Sequence, residues 1–185
     1  MDRKIIELTK GLKEKMIARR RDFHRYAETA WLEFRTAALA AEALAALGYE
    51  VRTGAEALAA EGMMGVPTEK ELERHAERAV SQGAPAAWVA KMKGGRTGVV
   101  GVMRFAKPGP TVALRFDMDA NDAVEAEEEG HRPWREGFAS VNRGAMHACG
   151  HDGHTAIGLA VAEVLATLAG ELAGTLKLIF QPAEE

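Results

Sequence analysis

The sequence predicts an α/β sandwich, on three observations. Short β-branched, apolar runs at 97–104, 111–116 and 175–180 read as buried strands. Helical patterns precede and separate them, the last over 152–169. Acidic residues follow two of those strands directly, Asp117 and Asp119 after one and Glu184 and Glu185 after another. Chemistry in such sheets collects beyond the carboxyl ends of the strands.

In chain order, residues 3–26 read as one helix, with Ile5, Ile6, Leu8, Leu12, Met16 and Ile17 at helical spacing and basic residues on the other face. An Ala- and Leu-rich helix follows over 29–47, and Gly48 supplies the left-handed stop that ends it. Residues 49–52 form a short strand. The stretch 55–95 reads as a helical insertion between two strands. Thr68 and Glu71 have capping-box spacing, the helix runs to about Ser81, and Gly83-Ala84-Pro85 closes it. Its charged residues, among them Glu69, Lys70, Glu73, Arg74 and Glu77, mark a solvated face. Pro108-Gly109-Pro110 reads as a turn, and 118–148 as a long functional loop. The apolar helix 152–169 runs through Ile157, Leu159, Val161, Val164, Leu165 and Leu168. Gly170 and Gly174 separate it from the last strand.

Bulk properties exclude several classes of function. With 24 basic and 27 acidic residues, the net charge of −3 offers no electrostatic case for nucleic acid or an anionic membrane surface. No apolar run approaches the roughly 20 residues that span a bilayer. The start Met1-Asp2-Arg3-Lys4 lacks the apolar core of a signal peptide. Cys149, the single cysteine, cannot form an intrachain disulfide and suits a cytoplasmic metal or catalytic role.

His147, Cys149, His151 and His154 fall within eight residues. Thiolate and imidazole bind borderline-soft divalent ions, and carboxylates complete such a set. Each residue taken singly is better explained as ordinary packing or surface; the cluster together with Glu184-Glu185 is better explained as a metal site. Adjacent carboxylates on an extended segment point to opposite sides, so one can ligate while the other takes a proton from water. Asp117-Met118-Asp119 reads as support for a ligand imidazole rather than direct ligation. Arg132, Trp134 and Arg135 read as loop residues, Glu125, Glu127, Glu128 and Glu129 as a solvated acidic run, and Trp31, Phe34, Met63 and Met64 as core or lid packing.

Four stretches carry a family resemblance. Arg21-Asp22-Phe23-His24-Arg25-Tyr26-Ala27-Glu28 is the weakest, with Ala27 where the family has proline. Arg115-Phe116-Asp117-Met118-Asp119-Ala120 is the second. Met146-His147-Ala148-Cys149-Gly150-His151-Asp152-Gly153-His154 and Phe180-Gln181-Pro182-Ala183-Glu184-Glu185 are the strongest. Together they resemble the M20 metallopeptidases, in the aminoacylase/amidohydrolase branch. The 55–95 insertion and Trp134-Arg135-Glu136-Gly137-Phe138-Ala139-Ser140 are most similar to members that cleave p-aminobenzoyl-glutamate.

The resemblance implies the N-terminal part of an α/β/α catalytic domain of the zinc-peptidase type. The lid or dimerisation domain and the C-terminal catalytic part are expected to lie outside the chain. It implies hydrolysis of N-acyl or aroyl amino acids with two divalent ions, Mn2+ or Zn2+, and a homo- or hetero-oligomeric assembly. Cys149, His151 and Glu185 resemble metal ligands, Glu184 the general base, and Asp119 a supporting carboxylate. The chain alone is expected to be inactive, because the family uses two further histidines. The competing readings are a fragment without function of its own and a non-catalytic metal-binding partner subunit.

Overall fold

A computed structural model describes residues 2–185. The expected first helix is two, α1 (Asp2–Gly11) and α2 (Lys13–Arg25). They break beside Gly11, a poor helix former. α3 (Phe34–Ala46) begins five residues later than the composition of 29–47 suggests. Thr29 is drawn into a bridge with Ala120, and Trp31 has φ 63°, a left-handed conformation that no helix continues through. The buried Glu28 instead caps α3 from a distance, accepting from the amides of Arg35 at 3.0 Å and Thr36 at 2.9 Å. At the other end Gly48, with φ 85°, allows the Tyr49 amide to return to Leu44 O, closing a Schellman turn.

The remaining elements are β1 (Glu50–Thr53), α4 (Glu69–Ser81), α5 (Ala86–Val89), β2 (Val99–Arg104), β3 (Lys107–Asp117), α6 (Arg132–Arg135), α7 (His151–Thr167) and β4 (Ala173–Gln181). The sheet order is β1-β2-β4-β3. β4 runs parallel to β3 and antiparallel to β2, so β3, α7 and β4 form a βαβ unit. The carboxyl ends of β3 and β4 therefore lie at one edge, side by side.

Pro108-Gly109-Pro110 is not a turn but part of β3, with a register shift between Lys107 and Thr111. β3 is the edge strand among the described residues, where proline need not donate to a neighbour. Gly109 and Gly174 let the two backbones approach: a Cβ on Gly174 would sit 2.1 Å from Pro110 O.

α3 and α7 cover one face of the sheet. Leu176, Leu178, Phe180 and Val99 are buried there, joined by Leu44, Tyr49 and Leu159 from the helices and the helix–strand link. The opposite face presents Arg115, Lys177 and Ile179, and no helix of the described residues packs on it. The α/β class holds: within residues 2–185 a mixed sheet carries its helices on one face.

The capping box of α4 forms as the spacing predicts, with Thr68 N donating to Glu71 Oε2 at 3.0 Å. The 55–95 stretch is helical, and its flanking strands β1 and β2 pair directly. Its apolar side is not separate from the rest: Leu72, Ala79, Val89 and Met92 belong to the same core cluster as α3. Of the four residues grouped as packing, Phe34 is buried while Met64 is 84% exposed.

Candidate metal centre

The site is built where β3, β4 and the start of α7 meet. Past β3, Met118 N bonds Gln181 O and Ala120 N bonds Glu28 O, so the segment carrying Asp117 and Asp119 is held on both sides. Before α7, Asn121 Oδ1 accepts the amides of Ala148 and Cys149, each at 3.1 Å. Gly150 then turns the chain with φ 107°, which only glycine adopts freely, and His151 opens the helix. Past β4, Ala183 takes φ 50° and donates its amide to the buried Glu33 at 2.8 Å.

His151 is the centre of the arrangement and is 2% exposed. Its Nδ1 lies 2.9 Å from Asp119 O and 3.2 Å from Asp119 Oδ1. That leaves Nε2 facing outward, 3.6 Å from Asp117 Oδ1, 3.8 Å from Glu184 Oε2 and 3.8 Å from Glu185 Oε1. The donor atoms of Cys149, His151 and Glu185 all lie within 4.8 Å of one another, and so do those of Asp117, His151 and His154. Asp119 also accepts the Glu185 amide, at 2.9 Å. It thus binds one ligand candidate's ring and another's backbone from behind.

Glu184 and Glu185 do not diverge as adjacent residues of a strand would. Both carboxylates reach the same imidazole nitrogen, because β4 ends at Gln181 and the left-handed Ala183 bends the chain. The other predicted residues are placed as follows. His154 bonds Asp117 and stacks on His151 with ring centroids 5.5 Å apart. His147 is buried outside both donor groups, its two ring nitrogens without partners among the described residues. Burial pushes its pKa down to about 4, so it is neutral. Arg132 and Arg135 lie on exposed α6, bonded to Glu136 and to Glu129 O. Glu125 is no part of a solvated run; it is buried at 8% exposure, while Glu127, Glu128 and Glu129 are exposed.

The donor set suits a divalent cation electrostatically. A hydrogen bond to Glu185 raises the Cys149 thiol above its ordinary pKa. Asp117 is lowered: burial opposes this, but the bond to His154 and the charges of His151, His154 and Arg115 outweigh it. Thiol and carboxylates crowd together at the strand ends, with Cys149, Glu184 and Glu185 exposed, and a cation among them would offset their negative charge.

Several residues that build this site carry no sequence signal of their own. Glu33 precedes α3 yet is 0% exposed and braces Ala183. Asn121 lies in a stretch with no periodicity. His24 and Glu28 fall inside a family-like motif, but nothing in the motif says what they touch.

Fold and site together define a class: an α/β domain that gathers candidate metal ligands beyond the carboxyl ends of its parallel strands. Residues 113–185 match the sequence model of peptidase family M20/M25/M40. The chain is 52% identical over 179 residues to a p-aminobenzoyl-glutamate hydrolase subunit of Escherichia coli and, over the same length, to indole-3-acetyl-aspartic acid hydrolase of Enterobacter agglomerans. Each alignment takes in 97% of this chain but 41% of the relative, so the chain spans about two fifths of those proteins' length. The crystal structure of an aminobenzoyl-glutamate utilization protein from Klebsiella pneumoniae superposes with a TM-score of 0.79 at 41% identity, covering 98% of this chain and 39% of that one. A dinuclear metal-binding M20 peptidase from Bacillus subtilis superposes with a TM-score of 0.63 at 29% identity, covering 95% of this chain and 36% of that one.

Proposed function

We propose that protein containing this segment hydrolyses the amide bond of N-acyl or N-aroyl amino acids, with p-aminobenzoyl-glutamate as the representative substrate, and that the segment alone is inactive. The observation that carries the reading is the meeting of Cys149, His151 and Glu185 within 4.8 Å, with Glu184 facing the same His151 nitrogen. The names of the E. coli and E. agglomerans relatives support the substrate class.

Cys149, His151 and Glu185 would hold a divalent ion, manganese or zinc, and a second ion is expected from the dinuclear B. subtilis relative. Such ions lower the pKa of water toward 7 and polarise a carbonyl. Asp119, bonded to His151 Nδ1, keeps Nε2 as the free lone pair and fixes the ring's direction. Glu184 would act as the base, taking a proton from the attacking water on its carboxylate and passing it to the leaving amine nitrogen. Its carboxylate is 39% exposed, so substrate and water can reach it.

The domain reading is proposed in the same way: part of a catalytic domain, with 55–95 as a subgroup insertion. So are cytoplasmic location, an oligomeric assembly, and independence of nucleic acid and membrane. No described helix is long and apolar enough to cross a bilayer, and the E. coli relative is named as one subunit of its hydrolase.

The test is release of free amino acid from p-aminobenzoyl-glutamate, hippurate and indole-3-acetyl-aspartate by protein that contains this segment, with manganese or zinc added. Metal-dependent release that Glu184→Gln abolishes supports the reading. Release indifferent to both metal and Glu184 overturns it.

A further inference from the structure

His24 stands in the last turn of α2, 4% exposed, with both ring nitrogens committed. Nδ1 is 2.9 Å from Asp152 Oδ2, and Nε2 is 2.9 Å from Glu125 Oε1. One imidazole therefore joins three stretches that are far apart in sequence. Asp152 directly follows His151 and is itself 1% exposed. Its Oδ1 accepts the Gly153 amide at 2.7 Å, and Arg20 Nε donates to Oδ2 at 3.2 Å. Glu125 belongs to the loop 118–148, where it also takes His131 Nε2 at 2.7 Å and the Ser140 amide.

Two carboxylates facing the two nitrogens require the ring to donate at both, which only the imidazolium does. Burial works against that charge, but the hydrogen bonds the ring donates to Asp152 and Glu125 outweigh it, and His24 is raised above its ordinary pKa. The first turn of α7 needs an outside hold, since Gly150 gives it no side-chain cap. Without the ring, Asp152 would keep only Arg20 and the Gly153 amide, and Glu125 only His131 and the Ser140 amide, leaving two buried carboxylates with nothing that links one to the other.

We infer that His24 is a positioning residue for the metal site, fixing the first turn of α7 through Asp152 and the loop 118–148 through Glu125, so that the two are held as one unit. The inference rests on the metal reading above for its first arm only. The second arm, the loop, is independent of it.

The test pairs two readouts on the purified chain. Cobalt(II) titration reports the Cys149 site through its thiolate-to-metal charge-transfer band. Limited trypsin digestion reports the loop through cleavage after the exposed Arg135 and Arg143. His24→Ala should weaken cobalt binding roughly 10- to 100-fold and speed cleavage after Arg135 or Arg143, and added imidazole should restore both. His24→Gln keeps bulk and one donor, and should fall between wild type and His24→Ala; it serves if the alanine variant does not fold. Glu125→Gln should speed loop cleavage alone, and add little on the His24→Ala background, because the shared link is already gone. A folded His24 variant with both readouts unchanged overturns the inference. So does a variant whose losses follow only a lower melting temperature and do not respond to imidazole. If wild type binds no cobalt, the metal reading fails, while the trypsin comparison still decides whether His24 holds the loop.

Discussion

His151 and Asp119 are joined twice, the ring Nδ1 lying 2.9 Å from the Asp119 carbonyl oxygen and 3.2 Å from its carboxylate. A carbonyl oxygen can only accept, so Nδ1 carries a proton and Nε2 is the nitrogen turned toward Glu184 and Glu185. Removing the Asp119 carboxylate should therefore weaken metal binding without emptying the site, because the backbone bond survives. Asp119→Ala is expected to reduce metal affinity about 10- to 100-fold, measured by chelator competition. Cys149→Ser and His151→Ala should each lower metal content in elemental analysis; unchanged stoichiometry in both would remove them from the ligand set.

Glu184 and Glu185 are assigned different work despite their equal distance from His151 Nε2. The Glu185 amide is tied to Asp119 and its carboxylate lies with Cys149, which supports the proposal of Glu185 as the ligand. Glu185→Gln should lose metal. Glu184→Gln should retain metal and lose most turnover. Metal loss in Glu184→Gln with retention in Glu185→Gln would exchange the two roles.

Glu33 predicts a pH dependence. Burial pushes its pKa from 4.5 up to about 8, against the hydrogen bonds from Thr97 and Ala183 that lower it. An acid whose folded pKa is raised contributes its full stability below the unfolded value and loses it as pH rises through the folded one. The Glu33 contribution should thus decline between about pH 4.5 and 8. Glu33→Gln keeps the shape and stays neutral. The difference in melting temperature between the two proteins should move in favour of the variant across that window; a constant difference would show that Glu33 does not titrate there.

Gly158 lies in the middle of α7, where alanine is ordinarily better by about 1 kcal/mol. Here a Cβ would stand 2.8 Å from the rings of both Phe116 and Phe180. Phe180 is fully buried and the half-buried Phe116 packs against it from the neighbouring strand, so the rings have little room to move. Gly158→Ala should be destabilising by about 1–3 kcal/mol from overpacking, read from urea unfolding. A stabilised variant would show that the helix and sheet can separate freely.

Much of the architecture was legible because local rules governed it. Periodicity marked α7 and β4, Gly48 and the Thr68–Glu71 pair marked helix ends, and the spacing of Cys149, His151, Glu184 and Glu185 marked the chemistry. Where expectation and structure part, a distant contact decided. Thr29 left the helix for a bridge to Ala120, and Pro108 and Pro110 lie in a strand because β3 is an edge. Glu125, one of a run of acidic residues, is buried because His24, His131 and Ser140 converge on it. Residue types and near-neighbour spacing therefore determined which atoms were available to bind a metal. Only the tertiary structure decided that both Glu184 and Glu185 face His151 Nε2, that Asp119 stands behind it, and that Glu33 and His24 hold the frame. Those relationships depend on β3 and β4 lying parallel with α7 between them in the chain, a long-range pairing that no local stretch of sequence encodes.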